Sequence, residues 1–265
     1  MNAKAFYLRT SPDEVSPTPA TAGPWDPGLQ HGGPPAALLG AALEATQPRP
    51  GTRLAHFTLD FLGPVPLAPM RVVTETVRPG KKIELLGATA IVNGRPVLRA
   101  SAWRLAVQAG RAPAIGVAAA PPPLPALAET RLFPDAPPFG YGVALEWRFT
   151  EGGFHLWGPA TAWTRLRVAI VEGEPVTPLA RVLSMVDSAN GISAELDPRA
   201  FLFVPVTLTV SLAREPSGEW VGMSAKTKIT AEGVGTTHAD LFDEAGYLGE
   251  SLQTLFVEPR PAPAG

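Results

Sequence analysis

The chain has 265 residues, of which 22 are basic and 24 acidic, so its formal net charge at pH 7 is -2 and a nucleic-acid partner is not expected. Cysteine is absent, which excludes disulfides, catalytic thiolates and cysteine-ligated zinc. Hydrophobic residues make up 45% and charged residues 17% of the sequence, so we expect a folded apolar core despite the 31 prolines.

The N-terminal segment, residues 1–10, carries charges at Lys4 and Arg9 and has no apolar core of signal-peptide length. No apolar stretch further along reaches the roughly 20 residues that a membrane-spanning helix needs. We therefore expect a cytoplasmic protein that does not enter a membrane.

The first half of the chain predicts a helix followed by four strands. Pro34 and Pro35 precede an apolar run at residues 36–45, and a helix tolerates proline only in its first turn, so this run predicts a buried helix. Four alternating segments follow, and Asn93-Gly94 between the last two is a strong hairpin signal. The predicted strands are residues 56–62, 71–77, 83–92 and 96–107.

An alanine- and proline-rich segment, residues 111–138, predicts a linker between an N-terminal domain (residues 1–110) and a C-terminal domain (residues 139–265). The second domain repeats the order of the first. Its predicted helix is residues 176–194, and its predicted strands are residues 204–212, 220–230, 236–242 and 247–257.

The two halves can be written over one another, which suggests a duplication. In this alignment Thr58 falls on Thr207 and Ser101 falls on Gln253, while Asp187 falls near Leu38 in an apolar stretch. Each half predicts an α+β unit, because alternating strands need a helix to cover their apolar face. Only the second half carries a carboxylate on its helix, so we expect one polar site, in that half.

The ordered motifs of both halves resemble the acyl-CoA thioesterase II type of thioesterase. The first half carries Gln30-His31-Gly32-Gly33-Pro34, Phe61-Leu62-Gly63-Pro64 and Asn93-Gly94-Arg95-Pro96-Val97. The second carries Met185-Val186-Asp187 and Ser251-Leu252-Gln253. The resemblance implies a tandem double hotdog, in which two long antiparallel sheets are each wrapped around a central helix.

The resemblance also implies hydrolysis of fatty acyl-CoA, with an Asp, a Thr and a Gln holding the attacking water and no cofactor. By position, the Asp is Asp187 and the Gln is Gln253. The Thr position falls on Pro205. Thr207 and Thr209 lie two and four residues further along the strand, and either is expected to share the face of Pro205 because strand faces alternate.

Local chemistry adds further expectations for the site. A carboxylate on the apolar helix around Asp187 is desolvated, which raises its pKa towards that of a general base. The backbone amides of His31, Gly32 and Gly33 precede the first helix and are expected to bind the thioester oxygen. Arg78, Lys81 and Lys82 form a basic hairpin tip that could meet the phosphates of CoA or could be solvated.

Two other functions fit the predicted fold. One is a non-catalytic protein that binds acyl or aromatic ligands. The other is a hydratase acting on enoyl-CoA, which needs an Asp/His pair, and no histidine neighbours Asp187 in the sequence. The four histidines are too scattered to predict a metal site. A homo-oligomer is expected, because exposed sheet edges are usually covered.

Overall fold

The computed structural model describes residues 3–116, 120–126 and 138–260. The helices are α1 (Gly33–Ala45), α2 (Gly140–Ala144), α3 (Pro178–Val186) and α4 (Ala189–Ile192), with a 3₁₀ turn at Pro19–Thr21. The strands are β1 (Ala5–Ser11), β2 (Glu14–Pro17), β3 (Thr52–Phe61), β4 (Met70–Arg78), β5 (Ile83–Val92), β6 (Arg95–Ala106), β7 (Leu145–Glu151), β8 (Ala160–Leu166), β9 (Ala169–Val171), β10 (Phe201–Leu212), β11 (Val221–Ile229), β12 (Val234–Asp243) and β13 (Gly246–Pro259).

The α+β double hotdog predicted from the sequence is confirmed. In each half a helix lies against the apolar face of an antiparallel sheet in which the first strand pairs with the last, in the order β3-β6-β5-β4 in the first half and β10-β13-β12-β11 in the second. All eight predicted strands are present within four residues of their predicted bounds. Strands β1, β2, β7, β8 and β9 were not predicted, because they lie outside the two repeated segments on which the prediction was based.

The two sheets are joined edge to edge, so the described strands form one 13-stranded sheet rather than two separate ones. The junction is an antiparallel pairing of β3 with β10, in which Leu59 lies opposite Leu208. A free edge strand exposes unpaired backbone N–H and C=O groups, and this pairing satisfies them within the chain. Strands β7 and β9 end the sheet, and assembly of the chain into a homo-oligomer stays a prediction.

The two central helices pack directly on one another through glycines of α1. A Cβ added at Gly33 would lie 2.3 Å from the Ser184 carbonyl oxygen of α3, and one added at Gly40 would lie 2.3 Å from Cδ1 of Leu183. Larger residues would therefore push the helices apart. The close approach brings the N-terminus of α1 beside the C-terminus of α3.

This contact predicts a stability effect. We expect Gly33→Ala to lower the free energy of unfolding by about 1–3 kcal/mol, because a backbone carbonyl occupies the position of the new methyl group. Urea unfolding followed by circular dichroism measures it. Gly63→Ala is the matched control, since a Cβ there meets nothing within 4 Å. Equal stability of the two variants would contradict the close helix contact.

One further difference from the sequence predictions bears on the site. The helix predicted at residues 176–194 is divided into α3 and α4, with Asp187 and Ser188 between them. Asp and Ser side chains compete with helical backbone hydrogen bonds, which explains a break there. Among the described helices, none is long and apolar enough to cross a membrane.

Candidate active site

A cavity of about 480 Å³ opens where the two halves meet. Its walls come from the segment before α1, the residues that follow β3, the end of α3 and the beginning of β10. Six aromatic side chains line it: Trp25, Phe61, Phe139, Tyr141, Phe154 and Phe203. Among the described residues that line the cavity there is no lysine or arginine, so its polar groups are few and lie mainly around Asp187.

Asp187 lies at the C-terminal end of α3, where the helix breaks, and only 5% of its surface is exposed. One carboxylate oxygen, Oδ1, accepts a hydrogen bond from Nε2 of Gln253 at 3.3 Å. The carboxylate also accepts a hydrogen bond from the backbone N–H of Gly32 at the start of α1. The acid of one half is thus held by the helix N-terminus of the other.

Gln253 projects from β13 towards the helices and is fully buried. Its Nε2 donates to the backbone carbonyl of Asp187 at 3.2 Å as well as to the carboxylate. Its Oε1 accepts the backbone N–H of Asn190 at 3.1 Å. That N–H belongs to the first turn of α4, where no carbonyl within the helix can accept it, so Gln253 uses both ends of its amide to fix the helix break.

His31 completes the group from the first half of the chain. Its Nδ1 lies 3.2 Å from Oδ2 of Asp187, and its ring stacks on Tyr141 at 3.7 Å between centroids and 6° between planes. The Tyr141 hydroxyl donates to the Ser184 carbonyl at 2.9 Å and pairs with the Ser188 hydroxyl at 2.8 Å. The imidazole is therefore held in one orientation beside the carboxylate.

Burial controls the charge of these two groups. Burial raises the pKa of Asp187 to about 7, while the hydrogen bonds from Gly32 and Gln253 oppose that rise. Burial lowers the pKa of His31 to about 3, so its imidazole is neutral near pH 7. Asp187 is thus the group of this pair that exchanges a proton near neutral pH.

Gly32 and Gly33 lie beside Asp187 and His31, but their backbone amides are not free to bind a thioester oxygen as predicted. A Cβ on Gly32 would lie 2.6 Å from Oδ2 of Asp187 and 2.7 Å from the ring of Phe61, so only glycine fits there. The Gly32 amide already donates to Asp187, and the Gly33 amide donates to Nδ1 of His31 at 3.1 Å. The following residues, Pro34 and Pro35, have no N–H. The predicted oxygen-binding amides are therefore used inside the site.

The structure does not bring Thr207 to the other residues. Pro205 lies opposite the buried Leu255, but a β-bulge at Val206 shifts the register, so that Thr207 lies opposite Thr254 and Gln253 lies opposite Leu208. Residues directly opposite on antiparallel strands share a face, so Thr207 and Gln253 face opposite sides of the sheet. The expectation that Thr207 shares the face of Pro205 is wrong, because a bulge interrupts the alternation.

The repeat alignment also needs a correction at Ser101. Its hydroxyl bonds that of Thr58 at 2.7 Å, whereas the neighbouring Ala100 and Ala102 are buried against the core. Ser101 therefore lies on the face away from α1, and an alanine occupies the inward position that corresponds to Gln253. With Leu38 buried in α1, the first half lacks both polar groups of the second.

The basic hairpin tip is far from the cavity. Ile83 pairs with Leu105, and Leu105 pairs with Arg53 near the start of β3, whereas the cavity adjoins Phe61 at the end of that strand. Eight residues along a strand span roughly 25 Å. Arg78, Lys81 and Lys82 therefore lie at the opposite end of the sheet, because successive hairpins of a meander alternate between its two ends.

Two residues of the site were not predicted from the sequence. Tyr141 belongs to the short helix α2, in a segment without a repeat partner, and Asn190 lies in the divided helix. Asn190 bears a polar amide among apolar neighbours, which is a usable signal for a buried hydrogen-bonding role. Nothing in the sequence near Tyr141 indicates that it stacks on His31.

Comparison with known proteins gives family-model matches in both halves. Residues 21–105 match the model of an acyl-CoA thioesterase N-terminal domain. Residues 118–257, more than half of the chain, match the model of an acyl-CoA thioesterase C-terminal domain. No match is found among the curated proteins.

Solved structures share the fold at low sequence identity. A hot dog fold protein of unknown function from Alicyclobacillus acidocaldarius is 16% identical with a TM-score of 0.72, covering 98% of this chain and 97% of that one. Acyl-CoA thioesterase II TesB2 from Mycobacterium marinum is 15% identical with a TM-score of 0.64, covering 98% and 96%. The tesB protein of Mycobacterium avium subs paratuberculosis is 14% identical, with a TM-score of 0.64 and 96% of each chain covered.

Proposed function

This chain belongs to the acyl-CoA thioesterase family, and we propose that it hydrolyses acyl-CoA thioesters through a water molecule activated by Asp187, whose carboxylate Gln253 holds in place. The observation that carries the proposal is the buried carboxylate of Asp187, fixed by Gln253 at 3.3 Å beside an apolar cavity. A desolvated carboxylate with a pKa near the working pH is suited to general-base catalysis.

In the proposed reaction, Asp187 takes a proton from water while the water oxygen attacks the thioester carbonyl carbon. The carbon–sulfur bond then breaks, CoA leaves as the thiolate, and the proton held by Asp187 passes to the thiolate, which restores the carboxylate. Gln253 holds the carboxylate so that it faces the water, and no residue forms a bond to the acyl group. No cofactor takes part in these steps.

The cavity suits an uncharged acyl group. Its described lining offers no cation to a carboxylate at the far end of an acyl chain, and Asp187 and Asp26 would repel one. The aromatic and aliphatic side chains around it favour burial of apolar surface. We therefore propose monocarboxylic acyl-CoAs as substrates.

The test offers purified protein a panel of acyl-CoAs of increasing chain length and measures the release of free thiol. We expect turnover by the wild type and none above background by Asp187→Ala. If the wild type releases no more thiol than Asp187→Ala, hydrolysis is excluded. Tight binding of an acyl-CoA without turnover would then indicate a non-catalytic ligand-binding protein.

The pH dependence provides a separate prediction. The general base must be deprotonated, and the pKa of Asp187 is raised by burial to about 7. We therefore expect kcat/KM to rise about tenfold between pH 6 and pH 8 and to level off above. His31, with a pKa of about 3, adds no second limb in this range. A profile that is flat from pH 5 to 8 would contradict Asp187 as the base.

One observation favours a second candidate function, hydration of enoyl-CoA. That chemistry needs an Asp/His pair, which the sequence did not indicate, and Nδ1 of His31 lies 3.2 Å from Asp187. One group would take a proton from water as its oxygen bonds to the β-carbon, and the other would return a proton to the α-carbon. Loss of enoyl absorbance from crotonyl-CoA without release of thiol would favour this function over hydrolysis.

A further inference from the structure

The orientation of His31 constrains where its proton lies. Nδ1 accepts the backbone N–H of Gly33 at 3.1 Å. A ring nitrogen can accept a hydrogen bond only when it carries no proton, so this contact favours a neutral imidazole with its proton on Nε2. Oδ2 of Asp187 lies 3.2 Å from the same Nδ1, and in this tautomer the protonated carboxyl group donates to it. The contact with Gly33 is built into α1, because Gly33 is the first residue of that helix and is itself buried against α3.

The other ring nitrogen is available to a ligand. Among the described residues, Nε2 of His31 has no hydrogen-bond partner, and the His31 side chain lines the cavity. Stacking on Tyr141 fixes the plane of the ring. The site therefore holds a neutral N–H donor, fixed in direction, one ring width from the carboxylate of Asp187.

A donor of this kind is needed in the proposed hydrolysis. Negative charge develops on the thioester oxygen as water attacks, and hydrogen-bond donors that are already in place stabilise it. The amides expected to do so are occupied, since Gly32 donates to Asp187 and Gly33 to His31. The two prolines that follow supply none.

We propose that the Nε2–H group of His31 binds the thioester oxygen and stabilises the oxyanion, with Gly33 holding the imidazole in the tautomer that can donate. His31 is then a catalytic residue contributed by the half of the chain that lacks the general base. The inference rests on the proposed thioesterase function for its reaction, but the tautomer itself does not.

The kinetic test compares His31→Leu with His31→Gln. Leucine removes the donor, and we expect kcat to fall about 10²-fold with KM changed less than threefold, because the bond strengthens only as charge develops. Glutamine keeps an N–H donor, and we expect kcat of His31→Gln to be at least tenfold higher than kcat of His31→Leu. Equal losses in the two variants, with unchanged unfolding midpoints, would overturn the proposed donor role.

The tautomer is tested independently of activity. Nitrogen-15 spectra of histidine-labelled wild-type protein between pH 5 and 8 are compared with those of His31→Gln, which identifies the His31 signals. We expect a neutral ring with its proton on Nε2 throughout. A proton on Nδ1, donated to Asp187, would overturn the proposal. If the tautomer is as expected but no thioester is cleaved, the proposed function fails and the assigned donor stands as a ligand-binding group.

Discussion

Replacing Asp187 with asparagine is expected to lower kcat for acyl-CoA hydrolysis about 10³-fold while leaving the fold intact. Asparagine has nearly the same shape, and its carbonyl oxygen can still accept the Gln253 hydrogen bond at the Oδ1 position, but it cannot take a proton from water. Loss of a general base typically costs 10² to 10⁴ in rate. Thiol release under saturating substrate measures the effect, and an intact far-ultraviolet circular dichroism spectrum shows that the protein is folded.

Asp187→Asn is also expected to change how the stability of the protein depends on pH. Burial raises the folded-state pKa of Asp187 from 3.8 to about 7, so in that range the folded protein binds a proton that the unfolded chain releases, and stability falls as pH rises. Asparagine removes this dependence. We expect Asp187→Asn to be more stable than the wild type at pH 8 and to lose most of that advantage at pH 4. A variant that is less stable at pH 8 would contradict the desolvated carboxylate.

Replacing Gln253 with leucine is expected to lower kcat about 10² to 10³-fold and also to destabilise the protein. The substitution removes the donor to Asp187 and leaves the backbone N–H of Asn190 buried without its acceptor. Such an unsatisfied group costs about 1–3 kcal/mol. Steady-state kinetics and urea unfolding on the same preparation separate the two effects.

Leu252→Ala is a matched control for Gln253→Leu, because Leu252 directly precedes Gln253 in β13 and points to the exposed face. It should change kcat by less than twofold. If Gln253→Leu also keeps wild-type kcat, Gln253 only supports the helix break and takes no part in positioning the carboxylate. A Gln253→Leu variant that is less stable but fully active would also show a purely structural role for Gln253.

Local patterns were sufficient to predict the architecture and part of the site. Proline before an apolar run located α1, alternation located the eight repeated strands, and a carboxylate in an apolar helix indicated Asp187. Each of these signals lies within a short segment, so it can be recognised without knowing which segments contact one another in the fold. The contact between His31 and Asp187 joins residues 156 positions apart through helix packing, and no local pattern encodes it.

The error at Thr207 has a different cause. Alternation along a strand is a reliable guide only while the register holds, and the sequence signal for the bulge at Val206 is the preceding Pro205, because proline within a paired strand is found mainly at bulges. The same limit explains Ser101, since a shift of one residue exchanges the two faces of a strand. Pairings across the sheet are needed to assign such residues to a face.

The junction of β3 with β10 has a consequence for the evolution of the protein. In the proposed mechanism the reaction centre combines a histidine of one half with a carboxylate of the other, so neither half could be lost or exchanged by itself without losing the chemistry. The first copy is then released from maintaining a site of its own, which accounts for Leu38 and the alanines beside Ser101. Under this mechanism the two fused halves could not separate again and remain active.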